Sequence, residues 1–171
     1  MPRNISVSTT LKRDLLIHPF EPLWNEHSQV LILGSFPSVV SRARNFYYAN
    51  PGNRFWRVMA AVFEEDITDR RQFCLDHGIA LWDVIGSCRI QGSADASISD
   101  VTVNDIAAFT AGTKIRAVFT TGTKASRLYA QNVQCDLPHI ALPSTSGANA
   151  RMRTEDLIKA YRIIRTYAEE D

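Results

Sequence analysis

The chain has 171 residues, with 19 Lys and Arg against 18 Asp and Glu for a formal charge of +1. That length can bury about two thirds of the unfolded surface in one core, so a single domain over 1–171 is expected, with 1–28 as an irregular N-terminal segment packed on it. The near-zero net charge excludes nucleic-acid binding driven by total charge, and three widely spaced cysteines without a CxxC pair exclude a disulfide framework and a zinc or iron-sulfur site.

The N-terminus lacks the apolar core of a signal peptide, and no apolar run approaches the roughly 20 residues needed to span a bilayer. A soluble, cytoplasmic, monomeric protein with no metal, no cofactor and no membrane partner is expected. The charges are nevertheless grouped. No acid stands between Glu26 and Glu64, where Arg42, Arg44, Arg54 and Arg57 fall, and none between Asp105 and Asp136, where Lys114, Arg116, Lys124 and Arg127 fall. A locally positive face on a neutral protein is what meets phosphates.

In chain order, Leu15 to Trp24 contains Pro19 and Pro22 among apolar residues, which predicts an extended segment rather than a helix. Gln29 to Leu33 is a continuous apolar run, the pattern of a strand buried on both faces, and it stops at Gly34. Val39 to Asn53 reads as a long loop. Asn53 is placed as the cap of a helix over Arg54 to Glu65, where Phe55, Val58, Met59, Val62 and Phe63 recur at helical spacing. Thr68 is expected to cap a second helix to about His77, with Gly78 as its stop. The run IALWDVI is a second strand, carrying Asp83 at its end.

Residues 86–101 are rich in Gly, Ser and Asp and are predicted to be a long loop. Thr102 with Asp105 resembles a capping box for a helix ending near Gly112. Arg116 to Thr120 is the third strand, Lys124 to Asn132 a helix, and His139 to Leu142 the fourth strand. Thr154 is expected to cap a last helix with Leu157, Tyr161, Ile164 and Ala168 on one face. Strands alternating with helices imply an α/β fold, a three-layer α/β/α sandwich around a short, mostly parallel four-stranded sheet.

In such sheets ligands bind beyond the carboxyl ends of the strands. Four polar turns should therefore share one crevice: Gly34 to Ser38, Asp83, Gly122 to Lys124, and Ser144 to Gly147. Glycines let the backbone approach a ligand, and the neighbouring amides and hydroxyls donate to phosphate oxygens. There is no GxGxxG, no GxxxxGK[ST] and no GxSxG. Phe46, Tyr47 and Tyr48 among arginines suit base stacking beside backbone neutralisation.

GSFPS at Gly34 to Ser38, YYANPGNRFW at Tyr47 to Trp56, ALWDVIGSC at Ala80 to Cys88 and LPSTSGANAR at Leu142 to Arg151 together resemble the uracil-DNA glycosylase superfamily, and within it the DNA-deoxyinosine (hypoxanthine-DNA) glycosylase family. The mismatch-specific uracil-DNA glycosylases look like more distant relatives, with Gly-x-Asn-Pro-Gly where this chain has GSFPS, so that Phe36 stands in place of their catalytic asparagine.

The resemblance implies a monofunctional hydrolase that flips a deaminated base, most simply hypoxanthine, out of double- or single-stranded DNA and cleaves its glycosidic bond with water. It points to Asn50 as the residue that positions the water, followed by Asn53 and Asp83. Ser35, Phe36 and Tyr48 would form the base pocket. Arg44, Gly122, Lys124, Ser144, Thr145, Ser146 and Gly147 would hold the DNA backbone, with Asn149 or Arg151 entering the vacated groove. Two alternatives stand beside this: a mismatch-specific uracil glycosylase, and a non-catalytic nucleic-acid-binding module on the same fold.

Overall fold

The computed structural model describes residues 14–170; the part of the expected N-terminal segment at 1–13 lies outside the described residues. At the centre is a sheet of four parallel strands in the order β3-β2-β6-β7. These are β2 (Val30–Gly34), β3 (Ile79–Asp83), β6 (Ala117–Thr121) and β7 (His139–Leu142). Every residue of β2 is buried, as an apolar run covered on both faces requires.

Alternation divides those residues between two layers. Val30 and Ile32 point into a core built with Phe55, Met59, Leu157 and Tyr161. Leu31 and Leu33 point the other way, toward Ile106, Ala125 and Tyr129. The first layer is made by α2 (Phe55–Phe63), α3 (Arg70–Asp76) and α6 (Thr154–Glu169), the second by α4 (Ile106–Thr110) and α5 (Thr123–Asn132). Each large aliphatic side chain buried this way contributes about 1.5–3 kcal/mol relative to exposure. The expected three layers and four-stranded parallel sheet are present. No helix among the described residues is long and apolar enough to cross a membrane.

A second sheet was not expected. β1 (Leu15–Ile17), β4 (Ile85–Arg89) and β5 (Ser99–Val103) pair antiparallel in the order β1-β4-β5. They cover a small core of Phe36, Ile85, Cys88, Ile90 and Ile98. The region 86–101 therefore carries strand at both ends, 86–89 and 99–101, while the expected loop is confined to the connection over 90–98. Its periodicity is blurred because the β4–β5 register shifts twice and Asp100 adopts a positive φ of 50°, the mark of a bulged pair. The segment before β2 is likewise ordered: Leu15 to Trp24 is extended, as its prolines predict, but it supplies a strand and a bridge between Leu23 and Leu81 rather than an irregular wrap.

Several helix starts differ from expectation. The stretch read as loop contains α1 (Val39–Arg44), capped by Ser38, whose Oγ accepts from the Ser41 amide at 3.1 Å, and closed by Asn45 at φ 51°. α2 begins after Arg54, so Asn53 lies one residue ahead of the cap position, although its Oδ1 still accepts from the Phe55 amide at 2.9 Å. Asp69, not Thr68, caps α3, because its carboxylate reaches the Gln72 amide. Asp105 alone caps α4, accepting from the Ala108 amide, while Thr102 belongs to β5. Thr154 is the first residue of α6 and Arg153 occupies the cap.

α6 also fixes a loop that matters below. Tyr161 is fully buried, and its hydroxyl donates to the Pro143 carbonyl at 2.5 Å, just past the end of β7. Tyr161→Phe keeps the ring and leaves that carbonyl without its donor. Unfolding stability in urea is expected to fall by about 1 kcal/mol, with no change in circular dichroism.

Candidate active site

The carboxyl ends of the four parallel strands open into a cleft of about 1330 Å³. It is lined by Gly34 to Ser38 after β2, Asp83 at the end of β3, Thr121 to Lys124 after β6 and Leu142 to Ala148 after β7. Two further segments complete it: the Asn50–Asn53 turn, and residues 93–96 from the connection between β4 and β5.

The rim is a pair of interlocked turns. Asn50 Oδ1 accepts from the Gly52 amide at 2.9 Å, and its backbone carbonyl accepts from the Asn53 amide, closing the Asn-Pro-Gly-Asn turn. Asn53 faces the β7 loop: its Oδ1 accepts from the buried Thr145 hydroxyl at 2.8 Å as well as from the Phe55 amide. The Arg54 amide donates to the Thr145 carbonyl, and its guanidinium forks onto the Met152 and Asn149 carbonyls at 2.7 and 2.9 Å. Gly147 packs closely on this turn: a Cβ there would stand 3.0 Å from the Gly52 carbonyl oxygen, so the two loops would have to part by a few tenths of an ångström. This zipper explains why the two motifs occur together although about ninety residues separate them.

The zipper also sorts the expected DNA contacts. Thr145 is buried and spends its hydroxyl on Asn53. The Asn149 side-chain amide donates to the Ser144 carbonyl, which holds it within its own loop. Ser144 and Ser146 cap their own turn, accepting from the amides of Ser146 and Ala148. Gly122 starts α5 at φ 90°, a conformation that favours glycine, and Lys124 in the first turn of α5 lines the cleft with Arg127. Arg44 and Arg151 are exposed and lie outside the cleft lining. Arg42 is tied down: it donates to the Pro37 and Gly92 carbonyls and stacks over Phe36.

The floor is aromatic and holds a buried ion-pair-forming couple. Phe36 is buried and meets the His18 ring edge-on at 5.9 Å between centroids. Tyr48 adopts a positive φ of 51°, unusual for an aromatic residue. One face of its ring lies on Phe55 at 3.8 Å, which leaves only the other face for a stacking partner, and its hydroxyl lies 3.4 Å from Thr121 Oγ1. Asp83 is only 4 % exposed, and its Oδ2 lies 2.7 Å from His18 Nε2, while His18 Nδ1 donates to the Phe20 carbonyl at 2.8 Å. Burial pushes the Asp83 carboxyl up from the usual range against the opposing pull of His18 and the Gly34 backbone. Burial, reinforced by the Asp83 charge, also raises both Tyr47 and Tyr48, which keeps their hydroxyls neutral. Gly34 is required here because a Cβ would come within 2.6 Å of Asp83 Oδ1.

Residues 93–96, to which the sequence lent no role, form a wall of the cleft. Asp95 accepts from the Ser35 hydroxyl at 2.9 Å, and Ser93 accepts from the Val39 amide. Ser35 therefore faces a carboxylate that sequence reasoning did not place. His18 was missed as well. It is a single histidine in an apolar, proline-containing stretch 65 residues from its partner, and nothing local marks it; only the placement of β1 beside β4 brings it to Asp83.

The sequence between residues 21 and 165 matches the model of the uracil DNA glycosylase superfamily. The chain belongs to the uracil DNA glycosylase superfamily. It is 35% identical over 138 residues to a protein of Methanosarcina acetivorans named hypoxanthine DNA glycosylase, covering 77% of this chain and 87% of that one. A Methanosarcina barkeri protein of the same name is 31% identical over 142 residues, with the same coverage of both chains. The solution NMR structure of a candidate uracil DNA glycosylase from M. acetivorans superposes with a TM-score of 0.70 at 31% identity, covering 87% of this chain and 99% of that one. Within this superfamily fold, the zipper between the Asn50 turn and the β7 loop forms the rim of the cleft.

Arg54→Lys removes the fork that holds two carbonyls of the β7 loop, because an ammonium cannot reproduce planar two-point donation. The variant is expected to lose about 1–3 kcal/mol, with hydrogen exchange accelerating first in residues 143–152.

Proposed function

We propose that this protein is a DNA glycosylase that hydrolyses the N-glycosidic bond of deaminated bases, with hypoxanthine as its principal substrate. The observation that carries this is the pairing of a deep aromatic floor with a polar rim in the cleft of a superfamily fold, in a chain 31–35% identical to proteins named hypoxanthine DNA glycosylase.

The division of the cleft supports a division of labour. Phe36 and Tyr48, both in the cleft lining, supply aromatic surface against which a flipped purine can stack. Lys124 and the serine-rich β7 loop line the same cleft and would meet the DNA backbone. Lys124 stands in the first turn of α5, where helix amides and an ammonium together attract phosphate. Extrusion of a nucleotide costs a few kcal/mol and least at a mispair, so inosine opposite thymine is easier to extract than a paired base.

With Phe36 where the mismatch-specific uracil-DNA glycosylases carry asparagine, another polar group must hold the water at the anomeric carbon. Asn50 suits this best of the three candidates. It is exposed at the rim, and its Oδ1 takes one bond, from Gly52, leaving a second lone pair and the side-chain NH2 for a water. The Asn53 oxygen already accepts from two donors, and Asp83 lies buried with His18. Asn50 is too weak a base to ionise water, but it can orient one as the bond breaks toward an oxocarbenium-like state.

The test is release of bases from duplexes carrying hypoxanthine or uracil, read as alkali-labile sites. Hypoxanthine release exceeding uracil release is expected. The reverse order would favour a mismatch-specific uracil enzyme, and DNA binding with release of neither base would favour a non-catalytic module. Asn50→Ala is expected to slow single-turnover release by about 10²–10⁴-fold, with DNA affinity and melting temperature nearly unchanged; retained turnover would move the role to Asn53 or Asp83.

Lys124→Ala is expected to weaken DNA binding and lower the salt slope by about one unit, measured by fluorescence anisotropy between low and moderate salt. Arg44→Ala, outside the cleft lining, serves as the comparison. An unchanged slope for Lys124→Ala would put that residue off the DNA face.

A further inference from the structure

The wall of the cleft at 93–96 carries a negative charge that no cation among the described residues neutralises. Two carboxylates line the cleft, Asp83 and Asp95. Asp83 is buried against His18. Asp95 is exposed, and none of the ion pairs among the described residues includes it. Its Oδ1 accepts from the Ser35 hydroxyl at 2.9 Å, and its Oδ2 has no hydrogen-bond partner among the described residues. The charge is felt inside the cleft: burial is the main cause that raises the Asp83 carboxyl, and Asp95 adds to it.

The connection that carries Asp95 is fixed to its neighbours. The Val39 amide donates to Ser93 Oγ at 2.9 Å, and Arg42 donates to the Gly92 carbonyl at 3.1 Å. Arg42 gives its other amino group to the Pro37 carbonyl at 2.7 Å rather than to the carboxylate. Ser97 closes the short turn Asp95–Ser97 by donating to the Ala94 carbonyl at 2.7 Å, and Ile98 is buried with Phe36. Asp95 is therefore a placed charge, held at Oδ1 and open at Oδ2.

A placed carboxylate in a cleft for DNA opposes the phosphates and costs affinity. That cost is recovered only where the bound molecule becomes positive. Neither a phosphate nor a neutral base does so, but the sugar does. As the C1′–N bond breaks, its electron pair leaves with the base, and positive charge develops on C1′ and O4′. Asn50 carries an amide, which orients a water without neutralising that charge.

We propose that Asp95 stands against the deoxyribose of the flipped nucleotide and stabilises its oxocarbenium-like state. The assignment rests on the glycosylase reading and adds to it the group that meets the sugar's charge. Asp95 forms no bond to the sugar. Water adds to C1′, the proton it gives up goes to the departing base, and the carboxylate ends the reaction unchanged. Lys124 and Arg127, which also line the cleft, supply the attraction for the DNA backbone. The sugar cation is common to every base released, so Asp95 sets rate and leaves base choice unaltered.

Asp95→Asn keeps an acceptor for the Ser35 hydroxyl and removes the charge. Single-turnover release of hypoxanthine is expected to slow about 100-fold, while affinity for the same duplex rises, because the repulsion of phosphates is gone. Two further duplexes read the charge without turnover. One carries a pyrrolidine ring in place of the deoxyribose, with a ring nitrogen that is protonated at neutral pH; the other carries neutral tetrahydrofuran. In fluorescence anisotropy at fixed salt the wild type is expected to prefer the pyrrolidine duplex by about tenfold or more, and Asp95→Asn to lose that preference. A merely structural Asp95 would weaken both duplexes alike. An Asp95→Asn protein with wild-type melting and an undiminished preference overturns the assignment. Should the variant not fold, equal binding of the two duplexes by a wild type that releases hypoxanthine overturns it as well. A wild type that releases neither hypoxanthine nor uracil overturns the glycosylase reading itself, and the assignment with it, which is distinguishable from release without cation preference.

Discussion

A parallel sheet covered by helices on both faces has only its strand ends left for polar chemistry. In this protein β2 is buried along its whole length, and the alternation of Val30 and Ile32 against Leu31 and Leu33 commits both of its sides to apolar layers. The charged and hydroxyl-bearing groups that the fold retains near the sheet are therefore displaced to the carboxyl edge. That edge is where Gly34, Asp83, Thr121 and Ser144 meet in one cleft. The burial that stabilises the domain is also what raises the cost of ionising Asp83 and ties it to a histidine partner.

The rim obeys a second constraint, close backbone approach. Gly147 lies so near Gly52 that an added Cβ would stand 3.0 Å from the Gly52 carbonyl oxygen, Asn53 satisfies both the start of α2 and the Thr145 hydroxyl, and Arg54 binds two carbonyls of the opposite loop. Residues that resemble nucleic-acid contacts in a linear reading are largely occupied in holding one another. This is a common division in binding loops: most polar groups rigidify the loop, and a few, here the proposed ligand-facing residues Asn50 and Lys124, line the cleft. The wall at 93–96 joins the same network through Ser35 with Asp95 and Val39 with Ser93.

The second sheet ties the floor to the N-terminal segment. β1 pairs with β4, which begins two residues beyond Asp83, and that pairing delivers His18 to the carboxyl. Without it, a carboxyl group at a parallel strand end would lie buried with no ionisable partner, at a cost of several kcal/mol or with its charge lost. The same strand places the apolar side chains of Leu15 and Ile17 at the surface on the edge of that small sheet.

Elements whose signal is local were legible from the amino-acid sequence: β2, β3, β6 and β7 as apolar runs ending in glycine or polar turns, and α2, α5 and α6 from helical spacing. Because strand ends in an α/β fold converge, the membership of the cleft could be read in the same way, and the motifs at Gly34, Asn50, Asp83 and Leu142 marked the family. Helix starts were less legible, since Thr68 and Asp69, or Thr102 and Asp105, are chemically interchangeable caps until the chain direction selects one. What only the tertiary structure decided were the partnerships. The β1-β4-β5 sheet has an irregular register and alternation too short to show as a pattern, α1 is a single capped turn and a half, and His18 meets Asp83 across 65 residues. Hydrogen bonds between distant segments leave no period in the sequence, so which polar groups are spent on the fold and which remain for a substrate is a property of the folded chain.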